Sequence, residues 1–570
     1  MFLEEADNAR KSRGIVSAFL LLLGVVQLLD SLSFRFPFMS HSVWEIRLFG
    51  IDFNLLLPLL VLLGLWLALS YAILRDSKSL IVLAPLVLVF FFPVEVALSV
   101  ASIISSFVTL VDVASRRNFI LTLLVCIGIF ETAALVHWMF LYPLGLESSF
   151  ELVAGFEQQL FFVFGSSTPF IGMTLIFICI LSFAWHYFKE LPSLESVERV
   201  REKASVELLV FLAAIVFLSM FSSVYPYLEA VNPRGIHAGR DVSDYIEVAQ
   251  LVEADISEVF KASGGSRPVI YLVILGFQRL FGLETLAAVR FLPVILNPLL
   301  VMSIFFLVRE ACRDDRIAVT AAFFTATGYP VTVNMSAYFL TNVLALVFVF
   351  LSLGFFIRGV RLEKRINLVY AIVLGAFLVF THPWAFDQFY VPFIVISIFF
   401  IYFWSKREYK EKQMSDFFVY TISLGVIDVI KVIIFRGVGG VAASSTIITR
   451  LTSIGSFWAD TVVNLSMTFG GLYSNLVLLG LAILGVLLLR FRSFFEFYLG
   501  VFLGLSSLGF IIGDATIKSR LLYNFPIGYL AALGFNAVIT REDKTFRRIF
   551  TFFVVSSMLV YLFRSLANVV

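Results

Sequence analysis

The sequence predicts an all-α fold, a polytopic bundle of about 17 transmembrane helices. The chain of 570 residues is 60% hydrophobic and only 14% charged, with a mean hydropathy of +0.97. This is far more apolar than a chain whose surface faces water. Apolar runs of roughly 17 to 25 residues recur along the whole sequence, about the length that a helix needs to cross the hydrocarbon layer. The alternating pattern of membrane-spanning strands is absent, so the spans are predicted to be helical.

Each apolar run is taken as one predicted span. The predicted spans are 14–33, 51–74, 79–93, 95–113, 119–141, 170–187, 205–225, 286–308, 317–334, 337–357, 367–383, 388–405, 416–435, 472–490, 495–513, 521–539 and 549–566. With a cytoplasmic N-terminus, about two thirds of the 42 lysines and arginines fall on the cytoplasmic side, as the positive-inside rule requires. The orientation of the chain is therefore predicted together with its spans.

One further apolar run, residues 268–283, would reverse this charge distribution if it crossed the membrane. We therefore predict that it forms an amphipathic helix at the outer surface, with Arg279 among the lipid headgroups. The outer loops are thus expected to carry short amphipathic helices of this kind.

Charge and residue spacing exclude several classes of protein. A net charge of +2 gives no basis for binding nucleic acid. The three cysteines are too few for a disulfide framework and form no CxxC pair. The five histidines match no zinc-binding spacing. Residues 1–13 precede a long apolar run without a small-residue cleavage site, which favours an uncleaved first helix over a signal peptide.

A charged cytoplasmic segment, residues 189–204, divides the chain into two membrane modules. Residues 1–188 are predicted to form an N-terminal module of six helices, for which the sequence indicates no role. Residues 205–570 form the second module, which has two long outer loops, 226–267 and 436–471. Long loops on one face of a scaffold often carry function, so the second module is expected to hold the functional site.

The first long loop carries the candidate chemistry. Asp241, Asp244 and Glu247 follow closely in sequence, and Asp241 and Asp244 share a face at helical spacing. One interpretation is a solvated acidic turn that caps a short helix. The other is a catalytic carboxylate at the membrane surface, which removes a proton from an acceptor hydroxyl. The composition of the loop leaves both interpretations open.

The order of the motifs resembles the GT-C superfamily of membrane glycosyltransferases, above all the protein O-mannosyltransferases and the lipid A aminoarabinose transferases. In these families the first outer loop has an acidic residue four positions before a tyrosine. An amphipathic helix with a Leu-Phe-Gly-like end follows, and then a helix that opens with an arginine. Asp241 with Tyr245, the run PVIYLVILGFQRLFGL and Arg290 are similar to this pattern.

A late helix adds to the resemblance, which covers residues 205–540. The sequence IKSRLLYNFP places Lys518, Arg520 and Tyr523 before Pro526. Two features depart from the family. Residues 1–188 have no counterpart in the family core, and the turn 334–342 lacks the second acidic motif with which the oligosaccharyltransferase branch binds a divalent metal. We therefore expect neither a divalent metal nor another cofactor, because a hard cation needs several oxygen ligands.

The resemblance implies an inverting transfer of a sugar from a polyprenyl-phosphate donor to a hydroxyl of a protein or glycolipid acceptor. The reaction would take place on the outer face of the cell membrane, with Asp241 as the general base. Arg520 is the first candidate to bind the leaving phosphate, with Lys518, Arg290 and Arg240 as further candidates. The candidates for contacting the substrate are Asp244, Tyr245, His382, Asp387 and Tyr523. The other interpretation of these cations is snorkelling at helix ends, and that of the histidine is an ordinary residue of the membrane interface.

A transporter or flippase for a lipid-linked or polar substrate is the alternative function. Asp428 and Lys431 lie within the predicted span 416–435, and Glu131 lies within 119–141. Ionisable residues inside a membrane often mark transport pathways. Transporters frequently contain internal repeats, however, and no repeat is evident between the two halves of this chain. The sequence therefore favours the transferase.

Overall fold

A computed structural model of the chain describes residues 121–141 in part, 171–184, 206–235, 237–261, 267–403, 411–435, 461–465 in part, 475–489, 493–513 and 515–567. These residues fall into two compact units, one holding residues 121–134 and 542–556 and the other holding the rest. Helices dominate the described residues, which contain no strand. The predicted all-helical class is confirmed for this part of the chain.

The helices are numbered in chain order. Helices α1 to α8 are Ile171–Ala184, Val206–Val224, Val242–Ala254, Pro268–Phe281, Thr285–Cys312, Asp315–Thr327, Tyr329–Ala337 and Leu340–Leu362. Helices α9 to α16 are Arg365–Val379, Pro383–Phe403, Glu411–Ile434, Leu476–Leu488, Phe494–Ile512, Ala515–Tyr523, Ile527–Arg541 and Lys544–Ala567. Three short turns complete the description: His137–Leu141, Tyr225–Tyr227 and Ile256–Phe260.

Seven of the described helices are long and apolar enough to cross a bilayer, and the bent pair α14 and α15 makes an eighth if it counts as one crossing. The described part of the chain is thus that of a multi-pass membrane protein. Several predictions concern residues outside the described ones: the first four spans, the loop 142–169, the linker 189–204 and most of the loop 436–471.

Helix α4 corresponds to the run that was predicted to lie at the surface. Its 14 residues extend about 21 Å, which is less than the ~30 Å of a hydrocarbon layer. Ile270 and Ile274 on one side are buried, whereas Leu272 and Leu280 are exposed together with Arg279. An exposed apolar stripe beside a cation is typical of a helix at a membrane interface.

Two predicted spans are interrupted in the structure. The span predicted at 317–334 breaks at Gly328 into α6 and α7. The span predicted at 521–539 breaks after Tyr523 into α14 and α15, with a bend of 45°. Pro526 causes the second break, since proline has no N–H to donate to the carbonyl four residues earlier.

The two breaks supply each other's hydrogen bonds. The Tyr329 hydroxyl, in the first turn of α7, lies 2.8 Å from the carbonyl of Leu522, which Pro526 leaves without a helical donor. In the opposite direction, the Tyr523 hydroxyl donates to the Pro330 carbonyl at 2.8 Å. Side-chain hydrogen bonds between helices add to packing inside a membrane, so this exchange stabilises the contact between the two breaks.

Small residues allow close contact between α12 and α15. A Cβ atom at Gly485 would lie 1.9 Å from the Leu530 carbonyl oxygen, and one at Gly534 would lie 2.1 Å from that of Leu481. The two backbones therefore touch, which is how helices commonly associate in membranes.

Polar side chains also join helices inside the larger unit. Asn297 of α5 donates to the Ser223 hydroxyl of α2 at 2.9 Å, and Asn334 of α7 donates to Asn297 Oδ1 at 2.9 Å. All three residues are buried. Hydrogen bonds of this kind fix the relative positions of three helices in an apolar surrounding.

The helices of the larger unit present two different ends. We call the end with Asp241, Phe339 and His382 the loop end, and the opposite end, with Arg309 and Arg361, the basic end. At the basic end Arg361 forms an ion pair with the buried Glu310 and also donates to the Glu310 carbonyl at 2.7 Å. Arg309 pairs with Asp315 at 2.9 Å. The charges of these two pairs are thus neutralised at contact distance.

Candidate functional site

The loop end brings together ionisable residues from four separate parts of the chain. They are Asp241 before α3, Arg267 before α4, His382 before α10 and Arg520 in α14, and we call them the charged cluster. Asp241 interacts electrostatically with Arg520 and Arg267, and His382 interacts with the same two arginines. The structure therefore unites three residues that the sequence singled out, and it adds Arg267.

Backbone hydrogen bonds hold the Asp241 loop in place. The N–H groups of Arg240 and Asp241 donate to the carbonyls of Ser336 and Ala337 at 3.1 and 3.3 Å. These carbonyls belong to the last turn of α7, where no helical donor remains for them. The loop thus caps one helix while it positions the first residue of another.

A glycine makes this close approach possible. Gly239 has φ +98°, and a Cβ atom there would lie 2.6 Å from the ring of Tyr338. Tyr338 itself has φ +62°, which is rare for a residue with a side chain, and its hydroxyl donates to the Val289 carbonyl at 2.7 Å. Left-handed backbone on both sides of one contact indicates a fixed geometry.

The carboxylate of Asp241 does not cap the helix that it precedes. Asp314 and Asp255, which precede α6 and the turn Ile256–Phe260, each accept hydrogen bonds from backbone N–H groups of the following turn. Asp241 occupies the same position before α3 and accepts none from the residues that the structure describes. The interpretation of Asp241 as a simple capping residue is therefore not supported.

The surroundings of Asp241 strengthen it as a base. Burial raises the pKa of the Asp241 carboxyl, and the nearby Asp244 adds to this effect, whereas Arg520, Arg240 and Arg267 oppose it. The net effect is a pKa raised from the usual value for aspartate. The side chain is only half-buried. A carboxylate that binds a proton more tightly and remains accessible is suited to general-base chemistry.

Arg520 is held on two sides. Its guanidinium lies 4.1 Å from the centre of the Phe339 ring, and Nη1 donates to Asn342 Oδ1 at 3.0 Å. Stacking on an aromatic ring and a hydrogen bond to an amide orient the planar guanidinium. No carboxylate in the described residues approaches Arg520 within ion-pair distance.

Arg267 is the cluster member that the sequence did not reveal. It makes no hydrogen bond or ion pair with the residues that the structure describes, and it repels Arg520 electrostatically. An isolated arginine before a proline in a polar loop is typical of a solvated residue. Its position immediately before the amphipathic helix α4 is the one signal that marks it.

His382 precedes α10 and is fully buried. The Ala385 N–H donates to His382 Nδ1 at 3.2 Å, so the histidine caps the helix in the way that serine or aspartate commonly does. Burial lowers the pKa of His382 well below its usual value, and Arg267, Arg520 and Lys431 lower it further. The imidazole is therefore neutral at physiological pH.

Two predicted tyrosines make structural hydrogen bonds. Tyr245 is buried, and its hydroxyl lies 2.6 Å from Thr341 Oγ1 and accepts from the Thr341 N–H at the start of α8. Tyr523 is buried with its hydroxyl on the Pro330 carbonyl. Tyr523 also packs against Phe339, the ring on which Arg520 stacks, at 5.5 Å between ring centres. Both tyrosines therefore have structural roles close to the cluster.

The other predicted residues lie at the margin of the cluster or in different groups. Asp244 and Arg240 are exposed neighbours of Asp241. Lys518 is buried and donates to Thr461, and Arg290 donates to His237 at 3.2 Å. Asp387 interacts electrostatically with two residues of α11, which are Asp428 and Lys431.

The cluster combines a free carboxylate with an excess of positive charge. Such a group can accept a proton at Asp241 and bind an anion between the arginines. Among the described residues, no three histidine, cysteine or acidic side chains converge to hold a metal ion.

No protein-family model matches the chain, and no curated protein resembles it to a significant degree. The function has to be inferred from the site itself.

Proposed function

We propose that the protein is a membrane-embedded glycosyltransferase of the GT-C type. It would transfer a sugar from a polyprenyl-phosphate donor to a hydroxyl of a protein or glycolipid acceptor. The observation that carries this proposal is the half-buried Asp241 carboxylate, which is not used for capping and interacts electrostatically with three arginines without forming an ion pair. Carboxylates and arginines that serve stability alone usually pair or cap, as the basic end shows.

The reaction needs both kinds of charge. Asp241 takes the proton of the acceptor hydroxyl as its oxygen bonds to the anomeric carbon. The bond from that carbon to the phosphate oxygen breaks at the same time, and the phosphate leaves with the electron pair. Its charge changes from −1 to −2, and Arg520 and Arg267 stabilise the added charge. A single displacement of this kind inverts the anomeric configuration.

The distribution of charge supports an orientation for the site. Arg309, Arg361 and the adjacent basic loops belong on the cytoplasmic side by the positive-inside rule. The loop end then faces outward, with the N-terminus in the cytoplasm. We place the protein in the cell membrane, where a polyprenyl donor can reach the site from the lipid.

A transporter for a polar or lipid-linked substrate is the second candidate. The two interrupted helices that pack against each other favour it, because many transporters bind substrate at such breaks. In those proteins the carbonyls of the break bind the ion or substrate. Here the hydroxyls of Tyr329 and Tyr523 occupy the carbonyls of Leu522 and Pro330, which makes transport the weaker candidate.

The test is sugar transfer by membranes that contain the full chain or its Asp241→Asn form. A panel of radiolabelled polyprenyl-phosphate sugars serves as donor, and incorporation into protein and glycolipid is measured. We expect the substitution to lower transfer about 10²- to 10⁴-fold, the usual contribution of a general base. Asparagine preserves the size of the side chain, so the amount of folded protein should not change.

Glu247→Gln is the matched control. Glu247 is exposed on the same helix, α3, and lies outside the cluster. It should transfer sugar like the unmodified protein. Equal transfer by Asp241→Asn would reject the proposed base, and no transfer by any folded form with the whole panel would favour the transporter.

A further inference from the structure

Two buried nitrogen atoms at the loop end have no hydrogen-bond partner among the residues that the structure describes. They are His382 Nε2 and Asn342 Nδ2. His382 is 0% exposed and Asn342 is 1% exposed. A buried polar atom without a partner destabilises the folded chain, so each such atom requires an explanation.

Both atoms are identified as N–H donors by their neighbours. The Arg520 guanidinium can only donate, so the amide oxygen of Asn342 must face it, and Nδ2 is the unpartnered atom. The Ala385 N–H donates to His382 Nδ1, so this nitrogen carries no proton. The proton of the neutral ring is then on Nε2.

Both donor residues interact with the same arginine. Asn342 contacts Arg520 directly, and His382 interacts electrostatically with Arg520 and with Arg267. Arginine side chains offer no acceptor to an N–H group. The region around Arg520 therefore contains two cationic and two neutral donors, a set that suits a ligand with negative charge and several acceptor oxygens.

We propose that His382 Nε2 and Asn342 Nδ2 donate hydrogen bonds to a phosphate group that Arg267 and Arg520 neutralise. The inference rests on the proposed function for the carrier of that phosphate, a polyprenyl chain. His382 then has two roles, because Nδ1 caps α10 while Nε2 binds the ligand. A neutral imidazole with its proton on Nε2 donates a hydrogen bond to the phosphate and does not transfer a proton to it.

Two substitutions of His382 separate these roles. Asparagine keeps an acceptor near the position of Nδ1 and loses the distal donor, whereas glutamine offers an amide N–H near Nε2 and loses the cap. Binding of tritiated polyprenyl phosphate to the purified full-length protein in detergent is measured by scintillation proximity. We expect about tenfold weaker binding for His382→Asn, and binding within about threefold of the unmodified protein for His382→Gln.

The opposite order, with glutamine weak and asparagine unchanged, would mean that His382 only caps the helix, and it would overturn the proposal. So would unchanged binding by both variants. If both bind weakly, Asn342→Asp decides, because aspartate keeps the acceptor for Arg520, loses the Nδ2 donor and adds a negative charge that repels a phosphate bound there. Binding about tenfold weaker at an unchanged melting temperature supports the phosphate site, and unchanged binding overturns it.

Competition distinguishes the source of the phosphate. Inorganic phosphate should displace the labelled lipid, and the uncharged polyprenol should not. Displacement by polyprenol alone would overturn the site, because the lipid chain would then be the recognised part. Displacement by inorganic phosphate as effective as that by polyprenyl phosphate would keep the anion site but assign it to free phosphate.

Failure of this inference can be told apart from failure of the proposed function. Sugar transfer by the unmodified protein, together with unchanged binding by both His382 variants, would reject the phosphate site alone. Binding that depends on Nε2, without sugar transfer from any donor, would reject the transferase and retain the site.

Discussion

The two ends of the larger unit differ in whether their charged side chains form ion pairs. At the basic end, Arg361 contacts the buried Glu310 as an ion pair, and Arg309 contacts Asp315. At the loop end, Asp241 and Arg520 interact electrostatically but form no ion pair. Paired charges add to the stability of the folded chain only while both partners are present. Charges held apart in a fixed frame instead leave room for a ligand, and the proposed function rests on this difference between the two ends.

Methionine substitutions at the two ends should have opposite effects. Arg520→Met should lower sugar transfer about 10²- to 10³-fold, because it removes a preorganised group that stabilises the leaving phosphate. Its free energy of unfolding should fall by about 1 to 3 kcal/mol, because the buried Asn342 Oδ1 loses its donor and Phe339 loses the stacked guanidinium. Arg361→Met should lower the free energy of unfolding by about 3 to 5 kcal/mol, since it leaves Glu310 buried without its partner.

Both quantities are measured on both variants, with transfer expressed per folded protein. Arg361→Met should then transfer sugar at the normal rate. The comparison between the ends would fail if Arg520→Met unfolded as readily as Arg361→Met, because Arg520 would then be a structural residue as well.

A substitution at Gly239, in the loop that holds Asp241, should have an effect of intermediate size on sugar transfer. Gly239→Ala places a methyl group 2.6 Å from the Tyr338 ring, so the loop has to move, and transfer should fall at least about tenfold because the base is displaced. Gly235→Ala is the control. Gly235 also has positive φ, at +61°, but no atom lies within 4 Å of its Cβ position. It should cost about 1 kcal/mol of stability from the backbone alone and leave the transfer rate unchanged.

The smallest expected effect is on the pH dependence of sugar transfer. Transfer requires ionised Asp241, so it should fall as the pH drops through the raised pKa of this carboxyl, above the usual value of about 3.9. Arg240 is one of the groups that lower this pKa. Arg240→Gln should therefore move the acidic limb of the pH–rate profile to higher pH.

The stability of the folded chain should also depend on pH through the protonation of Asp241. The pKa of Asp241 is higher in the folded chain than in the unfolded chain, so the folded state binds more protons between the two values. The melting temperature of the unmodified protein should accordingly fall as the pH rises through this interval. Asp241→Asn should lose this contribution, and an unchanged slope would show that Asp241 is not desolvated.

Within the described residues, several helices could be predicted because hydropathy records where a helix is apolar. The span predicted at 205–225 is α2, Val206–Val224, and the outer run at 268–283 is α4, Pro268–Phe281. Hydropathy does not record a break within an apolar stretch. The interruption at Gly328 was therefore missed, because the residues on both sides of it are equally apolar.

The candidate site was only partly predictable. Asp241, Arg520 and His382 were identified from motif order and residue type, whereas Arg267 and Asn342 were not. Arg267 stands alone in a polar loop, and Asn342 is an amide within an apolar helix, which gives neither a local signal. Asn342 matters because it forms a hydrogen bond with Arg520, and Arg267 matters because it acts electrostatically on Arg520. Arg520 is remote from both in sequence and is brought near by helix packing.

The hydrogen bonds that Tyr329 and Tyr523 make to each other's helices have a consequence for the evolution of this fold. Each tyrosine forms a hydrogen bond with a carbonyl of the other broken helix, so replacing one of them removes a hydrogen bond from the helix in which the mutation did not occur. A related protein with one of these helices straight would lose a hydrogen bond to the other helix. We therefore expect the two tyrosines to covary, so that related sequences keep both or replace both.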